Sequence, residues 1–132
     1  MNVVVLAAGK GKRMHSSLPK VLQALAGRPL LDHVLDATAD LADHPRVVVI
    51  GHAAGIVRKH YEGRTDIVFA LQQEQLGTGH ALMQALAAIN PEDPMTLVCL
   101  GDVPLLSPKT LMTMAEAGAD GSLVLLTVEL SD

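Results

Sequence analysis

The sequence is nearly without aromatic residues: one tyrosine, one phenylalanine and no tryptophan in 132 residues. A surface that stacks successive nucleic-acid bases needs several such rings, so a polynucleotide partner is excluded. Cysteine is as scarce. Cys99 is the only one, which excludes an intrachain disulfide. It lies in the apolar run Leu97-Val98-Cys99-Leu100 and reads as a buried, inert thiol. No apolar run is long enough to cross a bilayer, which leaves no membrane partner. The apolar stretch Val3–Ala8 is short and precedes its basic residues, the reverse of a signal peptide. The expectation is a soluble, cytoplasmic protein. Acids are missing from one region as well. Residues 1–31 carry Lys10, Lys12, Arg13, Lys20 and Arg28 and no acid, whereas the remainder holds all fourteen acids. A local cationic site on a chain of net charge −4 suits a small polyanion, because the acidic remainder would repel a long nucleic acid.

What is present is aliphatic. Hydrophobic residues make up 49% of the chain, the composition expected of helices packed on a buried sheet. Five short apolar runs read as strands: Val3–Leu6, Arg46–Ile50, Asp66–Leu71, Met95–Leu100 and Ser122–Val128. They lack strict alternation, as when both faces are covered. Helical patterns lie between them. Leu18, Val21, Leu22 and Leu25 fall at helical spacing with Gly27 to close them. The next helix starts near Pro29 and turns Leu31, Val34, Leu35 and Leu41 inward, with Asp32, Asp36 and Asp40 solvated on the other side. A helix over Ala54–Tyr61 follows. Another is capped by Thr78, with Leu82, Ala85, Leu86 and Ile89 inward. The last runs from the Ser107 cap and Pro108 to Gly118. Strands alternating with helices predict an α/β, Rossmann-like domain with a mostly parallel sheet. Ligands of such sheets collect at the carboxyl ends of the strands, here the loops after Leu6, Leu71 and Leu100.

The first loop is Leu6-Ala7-Ala8-Gly9-Lys10-Gly11-Lys12-Arg13-Met14, with Lys20 shortly after. Two glycines let the backbone approach a ligand and aim its N–H groups at phosphate oxygens, and the basic residues add charge. Met14 stands where a dinucleotide fingerprint needs its third glycine, and the Gly-Lys-Ser/Thr of a P-loop is absent. In the third loop Asp102 leaves a buried strand directly, so its carboxylate emerges at the ligand edge. Of the histidines, His15 and His80 lie beside these loops. His33, His44, His52 and His60 show no metal-ligand spacing and read as surface or packing residues.

The first loop with Leu18-Pro19-Lys20 resembles the signature of nucleotidyltransferases that activate sugar phosphates. Gln72–His80 (QQEQLGTGH) and Gly101-Asp102-Val103-Pro104-Leu105 are similar to segments of the bacterial bifunctional N-acetylglucosamine-1-phosphate uridylyltransferases. The resemblance runs through nearly the whole chain. It implies that Leu6, Ala7, Ala8 and Gly9 hold the base and sugar of UTP, and that Arg13 and Lys20 act in catalysis by neutralising its phosphates. Gln72, Gln75, Gly77 and Thr78 would enclose the uracil, and Asp102 would bind Mg²⁺. The implied reaction is uridylyl transfer from UTP to N-acetylglucosamine-1-phosphate, on the way to cell-wall precursors. It also implies that residues 1–132 are the nucleotide-binding part of a longer uridylyltransferase domain. The family's sugar-phosphate site, its β-helical acetyltransferase domain and the homotrimer that domain builds would lie beyond Asp132. Weak nucleotide binding and little turnover are then expected of this chain alone. Leu100 stands where the family has a tyrosine. Two other readings stay open: a sugar or polyol nucleotidylyltransferase using CTP or GTP, and a non-catalytic nucleotide-binding module.

Overall fold

The computed structural model describes residues 1–9 and 17–131. Four parallel strands form the main sheet: β1 (Asn2–Leu6), β4 (Arg46–Ile50), β5 (Ile67–Leu71) and β6 (Thr96–Leu100). Their order across the sheet is β5-β4-β1-β6. β1 is central. Val4, Val5 and Leu6 lie beside Val47, Val48 and Val49 of β4, and Asn2–Leu6 run beside Thr96–Leu100 of β6. The helices between them are α1 (Leu30–Thr38), α2 (Ala54–His60), α3 (Thr78–Ala85) and α4 (Pro108–Ala117).

Side chains alternate across a strand, and here the alternation sorts the core into two layers. Val3 and Val5 of β1, Val48 and Ile50 of β4, and Leu97 and Cys99 of β6 meet Leu31, Val34 and Leu35 of α1, Val57 of α2 and Leu111 of α4. Val4, Val47 and Val49 point the other way and meet Ala81 and Ala85 of α3. The sheet is thus covered on both faces at β1 and β4. Leu31, Leu35, Ile50 and Leu111 are fully buried, each contributing roughly 1.5–3 kcal/mol by removal from water. Cys99 belongs to the first layer, and burial pushes its thiol up to about 11.

Four of the five predicted strands form within a residue of their expected limits. Ser122–Val128 does not. Residues 122–131 take no regular secondary structure, and Leu123, Leu125 and Val128 are exposed. The run has strand composition, but a strand exists only by pairing, and no described strand is hydrogen-bonded to it in a ladder. β6, which was expected to be covered on both faces, is open on one of them. α3 packs over β1, β4 and β5, which leaves Val98 and Leu100 exposed.

The helix expected over Leu18–Leu25 is also corrected. Lys20–Leu22 make one 3₁₀ turn, and a two-stranded antiparallel hairpin follows, β2 (Ala24–Leu25) with β3 (Arg28–Pro29). Ala26 and Gly27 both have positive φ, at 52° and 76°. Two such residues in succession make a tight hairpin turn whose twist suits the strands, so Gly27 serves a turn and not a helix end. Two smaller differences concern side chains. Asp32 accepts a hydrogen bond from the Tyr61 hydroxyl at 2.7 Å, and Asp36 pairs with Arg28 at 2.7 Å, so neither is simply solvated. Leu86 points outward, and Thr78 is the first residue of α3, with Gly77 in the cap position.

Candidate active site

The chain passes from β1 outward through β4 to β5, then returns across the sheet to β6 on the other side of β1. The crossover directions reverse between β1 and β6. At such a point the loops leaving two neighbouring strands diverge, and a crevice opens at their carboxyl ends. A cavity of about 630 Å³ lies there.

β1 supplies its floor through Leu6, Ala7, Ala8 and Gly9. Ala7 and Ala8 are small and buried, which keeps the floor low. Backbone hydrogen bonds continue the sheet past its strand ends: Ala7 N–H donates to Val49 O at 2.8 Å, Gly101 N–H to Leu6 O at 2.8 Å, and Gln72 N–H to Ile50 O at 2.8 Å. Glycines permit this closeness. A Cβ on Gly101 would stand 3.1 Å from the Ala7 Cβ, and one on Gly51 would stand 2.8 Å from Gln72 O and 3.2 Å from the Ala8 Cβ.

The loop after β5 forms one wall, with Gln72, Gln75, Gly77 and Thr78. Gly77 has φ 101° and ψ 176°, a conformation open to glycine, and it turns the chain into α3. Gln72 is 2% exposed. Its Nε2 donates to Gly77 O at 3.2 Å and lies 2.9 Å from His80 Nδ1. Asp102, just past β6, closes the opposite side. Lys20 Nζ donates to Asp102 Oδ2 at 2.8 Å, both side chains remaining partly exposed at 41% and 34%. A cation and a carboxylate thus meet at the mouth of an apolar-floored cavity.

Every described residue predicted for the site lines this one cavity. Arg13, with Lys10, Gly11, Lys12 and His15, lies outside the described residues. Val21, Ala81 and Leu100 also line it. Val21 and Ala81 carried no signal beyond ordinary apolar spacing. Gly51 was missed, though a glycine at a strand's carboxyl end was the clue available. His80 touches Gln72 and not the cavity. Among the described residues no group of three or more His, Cys, Asp or Glu side chains is placed to hold a metal ion. No helix among them is long and apolar enough to cross a membrane.

Residues 3–129 match the MobA-like NTP transferase domain. The chain belongs to that family. This NTP transferase domain is 54% identical over 127 residues to the bifunctional protein GlmU of Bordetella petrii, covering 95% of this chain and 28% of that protein. It is 54% identical over 132 residues to the bifunctional protein GlmU of Burkholderia mallei, covering 100% of this chain and 29% of the relative. The domain therefore spans less than a third of the length of these curated relatives. Among solved structures, it is similar to a nucleotidyl transferase from Methanothermobacter thermautotroptrophicus, with TM-score 0.75 and 28% identity over 87% of this chain and 56% of that one. Rv0371c from Mycobacterium tuberculosis superposes with TM-score 0.74 and 29% identity, covering 90% of this chain and 60% of that one. A manganese complex of Rv0371c aligns with TM-score 0.74 and 26% identity over 90% of this chain and 59% of that one.

Proposed function

We propose that this NTP transferase domain is the nucleotide-binding part of a uridylyltransferase that joins UTP to N-acetylglucosamine-1-phosphate, releasing pyrophosphate. The observation that carries the reading is the convergence of three separate sequence segments on one cavity at the switch point of the sheet. The high identity to GlmU over the whole of this chain supports the choice of substrates.

In this reading the base enters between Ala8 and the Gln72–Thr78 wall, and the phosphates extend toward Lys20 and Asp102. A sugar-phosphate oxygen forms a bond to the α-phosphorus of UTP as the bond from that phosphorus to the pyrophosphate oxygen breaks. No side-chain nucleophile is needed, so the protein contributes position and charge. Lys20 neutralises phosphate oxygens, with Arg13 as a second cation. The low floor of Ala7, Ala8 and Gly9 brings the nucleotide against the backbone and keeps bulk water from its inner side.

The donor set fits a magnesium ion. Asp102 is the one carboxylate among the described residues that line the cavity and is partly exposed, and magnesium favours one or two carboxylates completed by phosphates and water. Such an ion would supply charge neutralisation of the triphosphate. The manganese complex of a similar fold is in keeping with a divalent cation. Lys20 and Asp102 neutralise one another without ligand, so nucleotide and cation would exchange partners with them, Lys20 turning to phosphate oxygens and Asp102 to the cation.

Calorimetric titration with UTP, CTP and GTP, each with and without Mg²⁺, tests the proposal. Preference for UTP that strengthens with Mg²⁺ and loses that dependence in Asp102→Ala is the expected result. Equal binding of all three nucleotides, or none by a chain shown to be folded, overturns it.

A further inference from the structure

Gln72 is an amide with a choice of two faces, and something must fix which end meets the ligand. Its carbonyl and NH₂ ends are nearly the same size but opposite in hydrogen-bonding character. Uracil presents an N3–H donor, whereas cytosine presents a bare N3 acceptor at the same place. An amide offering Oε1 accepts from uracil and opposes cytosine; one offering NH₂ does the reverse.

The surroundings of Gln72 decide the matter. At 2% exposure it meets little water and relies on the protein for most of its partners. Gly77 O, 3.2 Å from Nε2, can only accept, so the NH₂ end must face it. The second N–H then points to His80 Nδ1 at 2.9 Å, which accepts when the ring carries its hydrogen on Nε2. Both amide hydrogens are thereby spent inside the protein, and Oε1 accepts no hydrogen bond among the described residues. His80 sits in the first turn of α3, where its backbone carbonyl accepts from the Gln84 amide nitrogen at 3.3 Å; with the ring hydrogen on Nε2, that same nitrogen, 3.3 Å away, makes no bond to the ring.

We propose that His80 is a positioning residue for base selection, its Nδ1 locking the Gln72 amide so that Oε1 is the end left for the ligand. The inference rests on the reading of the cavity as a UTP site, with Gln72 toward the base. It assigns the preference for a uracil base to a residue that does not line the cavity. Gly77 O alone is the longer of the two contacts and would hold the amide less firmly.

The test uses the chain with His80→Phe, which keeps a ring without the acceptor, and His80→Asn, whose side-chain oxygen can occupy the position of Nδ1. UTP and CTP are titrated calorimetrically with Mg²⁺, alongside Gln72→Leu, and thermal melts confirm that each variant is folded. The UTP-over-CTP ratio should fall about tenfold in His80→Phe, the effect of one buried hydrogen bond lost, and recover in His80→Asn. An unchanged ratio in His80→Phe while Gln72→Leu loses it would overturn the role of His80 and leave the UTP site standing. No base preference in either the unaltered chain or Gln72→Leu would overturn the UTP reading and this inference with it. The Gln72 side-chain amide resonances, recorded without nucleotide, give an independent check: if His80→Phe leaves them unmoved, the locking contact does not exist.

Discussion

Gly51 is the residue whose size most tightly limits the site. It ends the run of β4, with the Gln75 side chain, Gln72 O and the Ala8 Cβ crowded around the place a Cβ would take. The Gln75 amide can swing away, but Gln72 O is backbone and tied by its own residue's N–H to Ile50 O. A methyl group at Gly51 must therefore push the β5 exit or the β1 exit outward, and the one is a wall of the cavity and the other its floor. Gly51→Ala is expected to weaken UTP binding by at least tenfold while costing roughly 1–3 kcal/mol of stability, the usual penalty for overpacking. Isothermal titration with a parallel thermal melt separates the two effects. A melt lowered as expected with binding unchanged would show that the strand exits move without disturbing the pocket.

Strands β4 and β5 are fastened at their amino ends by charge. The Arg46 guanidinium is 5% exposed, donates to Leu35 O and pairs with Asp66. Asp66 also pairs with Arg64 at 2.5 Å. Hydrogen bonds from Arg64, helped by the charges of Arg64 and Arg46, hold the Asp66 carboxyl down at about 2, against the ordinary 3.8. A carboxyl lowered on folding stabilises the fold above its unfolded value, and that contribution is lost as pH falls from about 4 toward 2. Asp66→Asn should lower the melting temperature at pH 7 by several degrees, since it leaves Arg46 buried with its charge uncompensated. The gap between the two proteins should close as pH drops through that window, a comparison made by circular dichroism melts at stepped pH. These elements also show what sequence can and cannot reveal. The strands over Arg46–Ile50 and around Val3–Leu6 were legible because a buried parallel strand is a compact apolar run bounded by polar residues. Ser122–Val128 has the same appearance, but pairing is a property of its neighbours and leaves no mark on its own composition. The hairpin at Ala26-Gly27 was hidden by leucines and valine that happen to fall at helical spacing. Asp102 was legible as a polar residue at an apolar strand end, whereas Gln72 and Gln75 were named through the resemblance of their segment to a known family. The contact of Lys20 with Asp102 joins segments whose proximity only the fold creates, and that of Gln72 with His80 depends on how the turn at Gly77 folds one short segment back on itself.

At the scale of the whole molecule, the strand order matters more than any one helix. Because β1 lies between β4 and β6, each loop of the cavity leaves a strand that is bonded to β1 or separated from it by one neighbour. The two core layers hold this sheet from opposite sides, and they are built almost wholly of aliphatic side chains. Mutations in either layer should therefore act on the cavity through the sheet. The hairpin of β2 and β3 lies outside it.

The three backbone bonds that stitch the strand exits together, from Ala7, Gln72 and Gly101, lie under the cavity and not at a fraying rim. Opening any of them requires neighbouring strands to part. Their amide protons should accordingly rank with those of central β1 and β4 among the slowest in the chain to exchange with deuterium, whereas amides of residues 122–131 exchange within the dead time. Exchange monitored by two-dimensional NMR would establish that order, and fast exchange at Ala7 and Gly101 would refute it. A floor that exchanges only when the sheet opens is ready before its ligand arrives, so nucleotide binding should slow its protons little. The change on binding would then concentrate in the wall past Gln72, residues 73–78, giving a footprint in time that distinguishes the fixed part of the pocket from the part that responds to the ligand.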